Sequence, residues 1–230
     1  SPSSSAPTTP PASTSGKIYL YGEQHGVEKI LEQEFQLWNG YYRDQGMRHL
    51  FVELPYYTAE FLNRWMQSED DEILDAVYND WEGAAVQDPA VKAFYQRIKR
   101  ECPQTIFHGT DVGHQYATTG KRFLEQLESE GLKDSEQYRL AEQAMEQGEY
   151  YYQHGDMAYR EDRMAENFVA QFDRLEGEDV MGIYGSAHTG LDAMDSTGTV
   201  PSMANQLKQI YGEAVHTEDL TWLAKETDPL

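Results

Sequence analysis

Short apolar runs alternate with longer amphipathic segments along this chain. The runs at 18–21, 49–54, 105–108 and 180–184 predict buried strands, because each is short, rich in apolar and aromatic residues, and bounded by turn residues. Apolar residues three or four positions apart predict helices, which cover 27–45, 58–76, 88–100, 121–152, 157–175 and 203–211. A further edge strand is predicted at 214–220.

This alternation predicts an α/β fold with a mostly parallel central sheet flanked by helices. The polar helical stretch that begins at Lys121 is predicted to be an excursion from the sheet before the last main strand. At 230 residues the chain has the length of one domain, which we assign to 17–230. Residues 1–16 are rich in Ser, Thr and Pro and lack large apolar side chains, so they are predicted to be a disordered tether.

The charge and the cysteine content limit the partners and the structural sites that this chain can have. The 40 acidic residues outnumber the 18 basic ones, and the net charge of −22 would repel nucleic acid. A single cysteine, Cys102, allows no internal disulfide and no cysteine-based zinc site. No run approaches the ~20 apolar residues of a membrane-spanning helix. Nucleic acid is therefore not expected to be a partner.

The tether also bears on localisation. Its composition is common after the lipid-bearing cysteine of exported bacterial lipoproteins, although the same composition also serves as a cytoplasmic tail. The chain begins with Ser, which indicates a processed or trimmed product. We expect an extracytoplasmic protein that contacts a membrane only through an N-terminal lipid anchor upstream of residue 1.

Two predicted strands end in the pattern G-x-x-H. The first is KIYLYGEQH, ending at His25, and the second is DVMGIYGSAH, ending at His188. In an open parallel sheet, ligands bind beyond the carboxyl ends of the strands, so both histidines are expected at one site. The alternative is that each histidine caps a helix or bonds a loop carbonyl.

Glu53 ends the neighbouring predicted strand. Two imidazoles and a carboxylate form a ligand set that Mn, Zn, Co or Fe(II) accepts with positions left for water, so His25, Glu53 and His188 are the predicted metal ligands. The alternative is an ion pair between Glu53 and an arginine such as Arg160, and the two interpretations are compatible if Arg160 supports the carboxylate from behind.

Other candidates follow the same strands. Glu23 would orient His25 or act as a general base, or would be a surface acid among many. Asp111, after the third strand, is either a site residue or the cap of the next helix. His108 and His114 flank it and are weaker candidates. Ser186 lies outside a G-x-S-x-G elbow, and the sequence contains neither a P-loop nor a G-x-G-x-x-G motif.

Taken together, GEQH at 22–25, GSAH at 185–188, Glu53 after an FV pair and REDRMAEN at 160–167 resemble the superfamily of TIKI, TraB, ChaN-like and erythromycin esterase proteins. The resemblance implies an α/β fold of the EreA/ChaN-like type and a metal-dependent hydrolase site containing His25, Glu53 and His188. Arg160 matches the arginine of the R-D-x-x-M-A motif of this superfamily, and Glu161 stands where that motif has Asp.

The branches of this superfamily imply different functions. GEQH is closer to the TIKI and ChaN-like branches than to the esterases, which carry one more residue between glutamate and histidine. TIKI-like members are similar to metalloproteases and imply hydrolysis of an ester, amide or peptide bond in a small-molecule or peptide substrate, which is the leading hypothesis. ChaN-like members are haem-binding lipoproteins, so a haem carrier of iron uptake without hydrolytic activity is the alternative. A scaffold kept only as an interaction module is a third hypothesis.

Overall fold

A five-stranded parallel sheet forms the centre of the molecule in a computed structural model that describes residues 16–84 and 87–225. The strands are β1 Ile18–Glu23, β2 His49–Pro55, β3 Ile106–Asp111, β4 Val180–Gly185 and β5 Val215–Asp219. They lie in the order β3-β2-β4-β1-β5, and every pairing is parallel. The prediction that β1, β2 and β4 share one sheet is confirmed, as is the edge strand β5.

Helices cover both faces of this sheet. They are α1 Glu28–Gln45, α2 Tyr56–Met66, α3 Glu72–Asp80, α4 Pro89–Glu101, α5 Lys121–Ser129, α6 Glu136–His154, α7 Met157–Asp173, α8 Met203–Tyr211 and α9 Trp222–Lys225. A π-helical turn precedes α5 and short 3-10 turns follow β4 and α8. The predicted α/β fold is confirmed, and α5 to α7 form the helical excursion before β4.

The predicted helix at 58–76 is wrong in its continuity. The chain forms α2 and then α3, with a break between Met66 and Glu72. In that break the Ser68 hydroxyl donates to the carbonyls of Trp65 and Asp70, so a short polar side chain satisfies backbone groups that a continuous helix would pair. Local hydrogen bonding therefore replaces helical hydrogen bonding across this polar stretch.

The predicted helix at 121–152 is likewise two helices. Gly131 ends α5 with a positive φ of 76°, a conformation that glycine adopts without steric cost. Ser135 begins α6, since its side chain accepts a hydrogen bond from the backbone N–H of Tyr138. Both signals are present in the sequence.

The three central strands, β1, β2 and β4, are buried on both faces. Along β1, Ile18 and Leu20 join the core beneath α7 and α8, whereas Tyr21 joins the larger core on the other face. The larger core also holds the fully buried indoles Trp38, Trp65 and Trp81. Apolar layers thus pack on both faces of the sheet, and the polar side chains of a site are expected at the strand ends.

Two predictions concern segments that the structure describes only in part. The predicted tether, 1–16, lies outside the described residues apart from Gly16, and the single domain at 17–230 stays a prediction.

Among the helices of the described ranges, none combines the length and the apolar character of a membrane span.

Helix α6 approaches the loop after β3 at a pair of glycines. A Cβ atom built on Gly148 would lie 2.0 Å from the carbonyl oxygen of Gly113. Gly113 precedes His114, whose own carbonyl accepts a hydrogen bond from the Tyr57 hydroxyl. The excursion therefore packs directly against the segment that follows the end of β3.

Replacing Gly148 with Ala is expected to destabilise the protein by ~1–3 kcal/mol, because the added methyl group meets backbone that cannot rotate away. The matched control is Gly40→Ala in α1, where nothing lies within 4 Å of the added Cβ. That change should stabilise by ~0.5–1 kcal/mol through lower chain entropy in the unfolded state. Denaturant unfolding measures both, and equal effects of the two substitutions would contradict the close packing.

Candidate active site

The carboxyl ends of β1, β2 and β4 bring four of the predicted residues together. Glu23 is the last residue of β1, His25 follows it, Glu53 lies near the end of β2, and His188 lies in the 3-10 turn after β4. The register between β2 and β3 shifts between Val52 and Pro55, around Glu53. Irregularities of this kind re-aim a side chain beside an active site.

Glu53 is the carboxylate on which the other groups converge. Its Oε1 accepts a hydrogen bond from the backbone N–H of Gly185 at 2.8 Å, and its Oε2 accepts one from Arg160 Nη2 at 3.1 Å. Burial alone would raise the pKa of Glu53, but the interaction with His25 and the charges of His188 and Arg160 lower it to about 2. Glu53 is therefore an anion at neutral pH.

His25 lies between two of these acids. Its Nδ1 is 2.5 Å from Glu23 Oε2, and its Nε2 is 3.5 Å from Glu53 Oε2. The hydrogen bond to Glu23, followed by the interaction with Glu53, raises the pKa of His25 to about 10. Its side chain is 41% exposed, so the ring remains within reach of a ligand.

His188 repeats this arrangement from the other side. Its Nδ1 is 2.8 Å from Glu161 Oε1, and its Nε2 is 3.6 Å from Glu53 Oε1. Burial lowers the pKa of His188, but the hydrogen bond to Glu161 and the charge of Glu53 outweigh burial and raise it. Both imidazoles thus direct Nε2 towards the same carboxylate.

Glu161 connects His188 to the beginning of α8. It is 3% exposed, and its Oε2 accepts a hydrogen bond from the backbone N–H of Met203 at the beginning of α8. A helix N-terminus stabilises a carboxylate through its unpaired N–H groups and its dipole. The substitution of Glu for the motif's Asp at this position leaves a residue that reaches both His188 and α8.

Arg160 joins Glu53 to Asp111. Its Nε and Nη2 donate to the two oxygens of Asp111 at 3.0 and 2.8 Å, which is a bidentate pair. Burial would raise the pKa of Asp111, but the charges of Arg160 and His114 hold it well below its ordinary range. The expected ion pair between Arg160 and Glu53 is present.

Asp111 does not cap a helix, which corrects one of the two alternatives. Strand β3 runs to Asp111 itself, three residues beyond the predicted end at 108. The Asp111 side chain is buried and is held by Arg160, by His114 Nε2 at 2.9 Å and by the N–H of Val112. A carboxylate surrounded by donors in this way supports Arg160 from the side opposite Glu53.

Sequence reasoning missed Glu34. It lies in α1 on the apolar face that also holds Ile30, Leu31, Phe35 and Trp38. Burial, followed by the charge of Glu23, raises the pKa of Glu34 well above its ordinary range. An acid in the middle of an apolar helical stripe is the signal that would have revealed it.

Two other histidines have different surroundings. His114 bonds Asp111 through Nε2 and the Tyr152 hydroxyl through Nδ1. His108 lies inside β3, where its Nε2 is 2.9 Å from His49 Nδ1 and its ring stacks on Phe51. It lines a different cavity from the one beside His25. His114 thus extends the Asp111 network, and His108 lies apart from it.

A cleft of about 640 Å³ opens over the site. Its walls include Glu23, His25, Glu53, Arg160 and His188. Polar side chains from later segments, Ser196, Thr221 and Lys225, also line it. The predicted residues therefore share one accessible cleft, large enough for a small molecule or a peptide segment.

The arrangement does not fit a metal centre. Within residues 16–84 and 87–225, no group of three or more His, Cys, Asp or Glu side chains could hold a metal ion. Both oxygens of Glu53 already accept hydrogen bonds, and Arg160 places a positive charge beside them. The predicted metal at His25, Glu53 and His188 is therefore unconfirmed, and this geometry gives it no support.

Comparisons with known proteins place the fold. No family model and no curated protein matches the sequence. Solved structures do: a Bacillus cereus protein matches with a TM-score of 0.61 at 13% identity over 90% of this chain, and a succinoglycan biosynthesis protein has a TM-score of 0.61 at 13% identity over 88%. The chain spans 66% and 65% of those two structures, respectively.

Two further structures bear on the predicted resemblance. The erythromycin esterase EreC in its open conformation matches with a TM-score of 0.59 at 13% identity, over 89% of this chain and 69% of that one. ChaN of Campylobacter jejuni, which binds haem cofacially, matches over 90% of this chain and 82% of that one at 14% identity, but its TM-score of 0.46 is too low to support an argument. The G-x-x-H signature and the TIKI branch stay predictions. At these identities the comparisons establish the fold alone, and this chain has the α/β fold of the erythromycin esterase.

Proposed function

We propose that this protein hydrolyses carboxylic esters or amides, in small molecules or peptides, with His25 as general base and His188 as general acid. One observation carries the proposal. Two imidazoles face the two oxygens of one buried carboxylate at 3.5 and 3.6 Å, and each has its other nitrogen held by a separate acid. Paired imidazoles oriented in this way are suited to proton transfer on both sides of a reacting carbonyl.

His25 activates water. A carboxylate only accepts hydrogen bonds, so the bond to Glu23 places the proton of neutral His25 on Nδ1 and leaves Nε2 as the base. The gap from Nε2 to Glu53 exceeds a hydrogen bond of ~2.7–3.2 Å, and a water molecule bonded to both groups would be oriented for attack. When Nε2 takes the water proton, Glu23 stabilises the resulting imidazolium.

His188 completes the reaction. Its Nδ1 donates to Glu161, so the protonated ring presents Nε2–H to the cleft. From there it donates to the carbonyl oxygen as negative charge develops and then protonates the leaving group. Arg160 holds Glu53 in place through the bidentate pair with Asp111, and this makes Arg160 a positioning residue.

An erythromycin esterase shares this fold, so hydrolysis is a chemistry that the fold can carry. The partly buried cation Arg160 beside Glu53 and the two acid-bound imidazoles favour proton transfer over cofactor binding. We also propose that the protein is extracytoplasmic and carries an N-terminal lipid anchor. This part of the proposal rests on the Ser-, Thr- and Pro-rich composition of residues 1–16.

Removing either imidazole should abolish most of the activity. His25→Ala and His188→Ala are each expected to lower kcat/KM for 4-nitrophenyl esters by ~10²–10⁴-fold, the usual contribution of general acid–base catalysis. The matched control is His216→Ala, because His216 is exposed on β5 and stacks on Tyr19 away from the cleft. Wild-type rates in His188→Ala would sink the proposed pair.

The pH dependence should follow the carboxylates around His25. The reaction needs neutral His25 and protonated His188, so kcat/KM is expected to follow a bell-shaped pH profile, one limb of which reports the His25 pKa of about 10. Glu23→Gln removes the largest cause of that raised pKa, so the limb that reports His25 should shift to lower pH while the maximum rate falls. Exposed Glu218 on β5 provides the control, Glu218→Gln. A profile identical in wild type and Glu23→Gln would contradict the role of Glu23.

Cofactor measurements separate the proposal from its alternatives. We expect esterase activity to survive a chelator and purified protein to hold far less than one equivalent of Mn, Zn, Co or Fe by elemental analysis. One equivalent of metal that is lost in His25→Ala would instead establish the predicted metal site. A Soret band on adding haem, together with no hydrolysis, would favour the haem carrier.

A further inference from the structure

A second cavity adjoins the cleft at three of the candidate catalytic residues. Its volume is about 70 Å³, and it shares Glu23, His25 and Glu53 with the cleft. Every other side chain around it is apolar or aromatic. The candidate catalytic groups therefore line both a wide polar cleft and a small apolar cavity.

The accessible surface of two strand residues indicates that this cavity is open space within the core. Val52 on β2 and Ile183 on β4 keep 4% and 7% of their surface accessible, although both lie inside the sheet. Their chain neighbours Phe51 and Tyr184, which face the opposite layer, are fully buried at 0%. The accessible area thus belongs to the face beneath α1 and α4, where Leu31 and Phe94 form the far wall.

We propose that this cavity is a subsite for a short apolar acyl chain, so that the substrate is an ester or amide of a small aliphatic acid. The inference rests on the proposed function. The reacting carbonyl would lie beside His25 and Glu53, its alkyl group would enter the apolar cavity, and the leaving group would lie in the cleft, whose lining includes the polar residues Ser196, Thr221 and Lys225.

Volume sets the length of the acyl chain. A cavity of ~150 Å³ admits benzene, and a liquid water molecule takes ~30 Å³, so the space here suits about two or three carbon atoms. Propanoyl and butanoyl groups match that size, whereas an octanoyl chain does not. An apolar group gains by leaving water for such a site, and a charged one loses.

The first test is a series of 4-nitrophenyl esters. From ethanoate to butanoate we expect kcat/KM to rise about fourfold for each added carbon, which corresponds to ~0.8 kcal/mol per buried CH₂. It should fall again at octanoate, because the chain outgrows the cavity. A steady rise through octanoate would overturn the subsite, since the chain would then lie in the wide cleft.

Substitutions at Val91 are expected to change the volume of the cavity. It lies in α4, is only partly buried and lines the cavity. Val91→Phe should fill the space and bring the butanoate-to-ethanoate ratio of kcat/KM from about fifteenfold to near one, and Val91→Ala should move the optimum to a longer chain. The control Ala93→Leu, on the same helix beside a different groove, should keep the wild-type ratio. Thermal unfolding verifies that each variant is folded, and unchanged ratios in both Val91 variants would overturn the subsite.

A binding measurement separates this inference from the proposed function. Butanoate, the product acid, should shift the methyl resonances of Ile183 and Val52 in the wild type and should not shift them in Val91→Phe. Methyl shifts without hydrolysis of any ester would refute the hydrolase and keep the apolar subsite. Hydrolysis with neither a chain-length optimum nor methyl shifts would refute the subsite and keep the hydrolase.

Discussion

The carboxylate of Glu53, which is only 14% exposed, is the constraint on which the site depends. An ionised acid withdrawn from water is costly unless donors and positive charges surround it. Here Gly185 at the end of β4 and Arg160 in α7 donate to it, and the Nε2 atoms of two histidines lie 3.5 and 3.6 Å away. Each of these elements is therefore held in register by the same charge. The geometry of Arg160 follows from satisfying Glu53, and Glu53 adds to the larger effect of Glu23 in raising the pKa of His25.

Acids and bases alternate outward from that centre. Glu53 is followed on one side by His25 and Glu23, on another by His188 and Glu161, and on a third by Arg160 and Asp111. Alternation keeps each buried charge beside an opposite one, so that the acidic chain tolerates several carboxylates in one place. In the proposed reaction the same alternation gives each histidine a partner that fixes its proton.

The sheet order explains how distant segments reach one point. The chain forms β1, then β2 and β3 to one side, and returns after the helical excursion to insert β4 between β1 and β2. His188 therefore arrives between His25 and Glu53, at the place where strand order reverses and α/β sheets commonly bind ligands. The return path also matters, since α7 carries Arg160 and Glu161 across the strand ends.

The strands and their parallel arrangement were predictable from the amino-acid sequence, because burial of apolar runs and glycine-bounded turns act locally. Short motifs indicated His25, His188, Glu53 and Arg160 as well. The contacts of Glu161 with His188, of Asp111 with Arg160 and of Glu34 with Glu23 became visible only in the folded protein. Those contacts join residues distant in sequence, and their energies depend on burial and neighbouring charge, which no local pattern encodes. The same is true of the small apolar cavity, whose volume is what remains after strands and helices have packed.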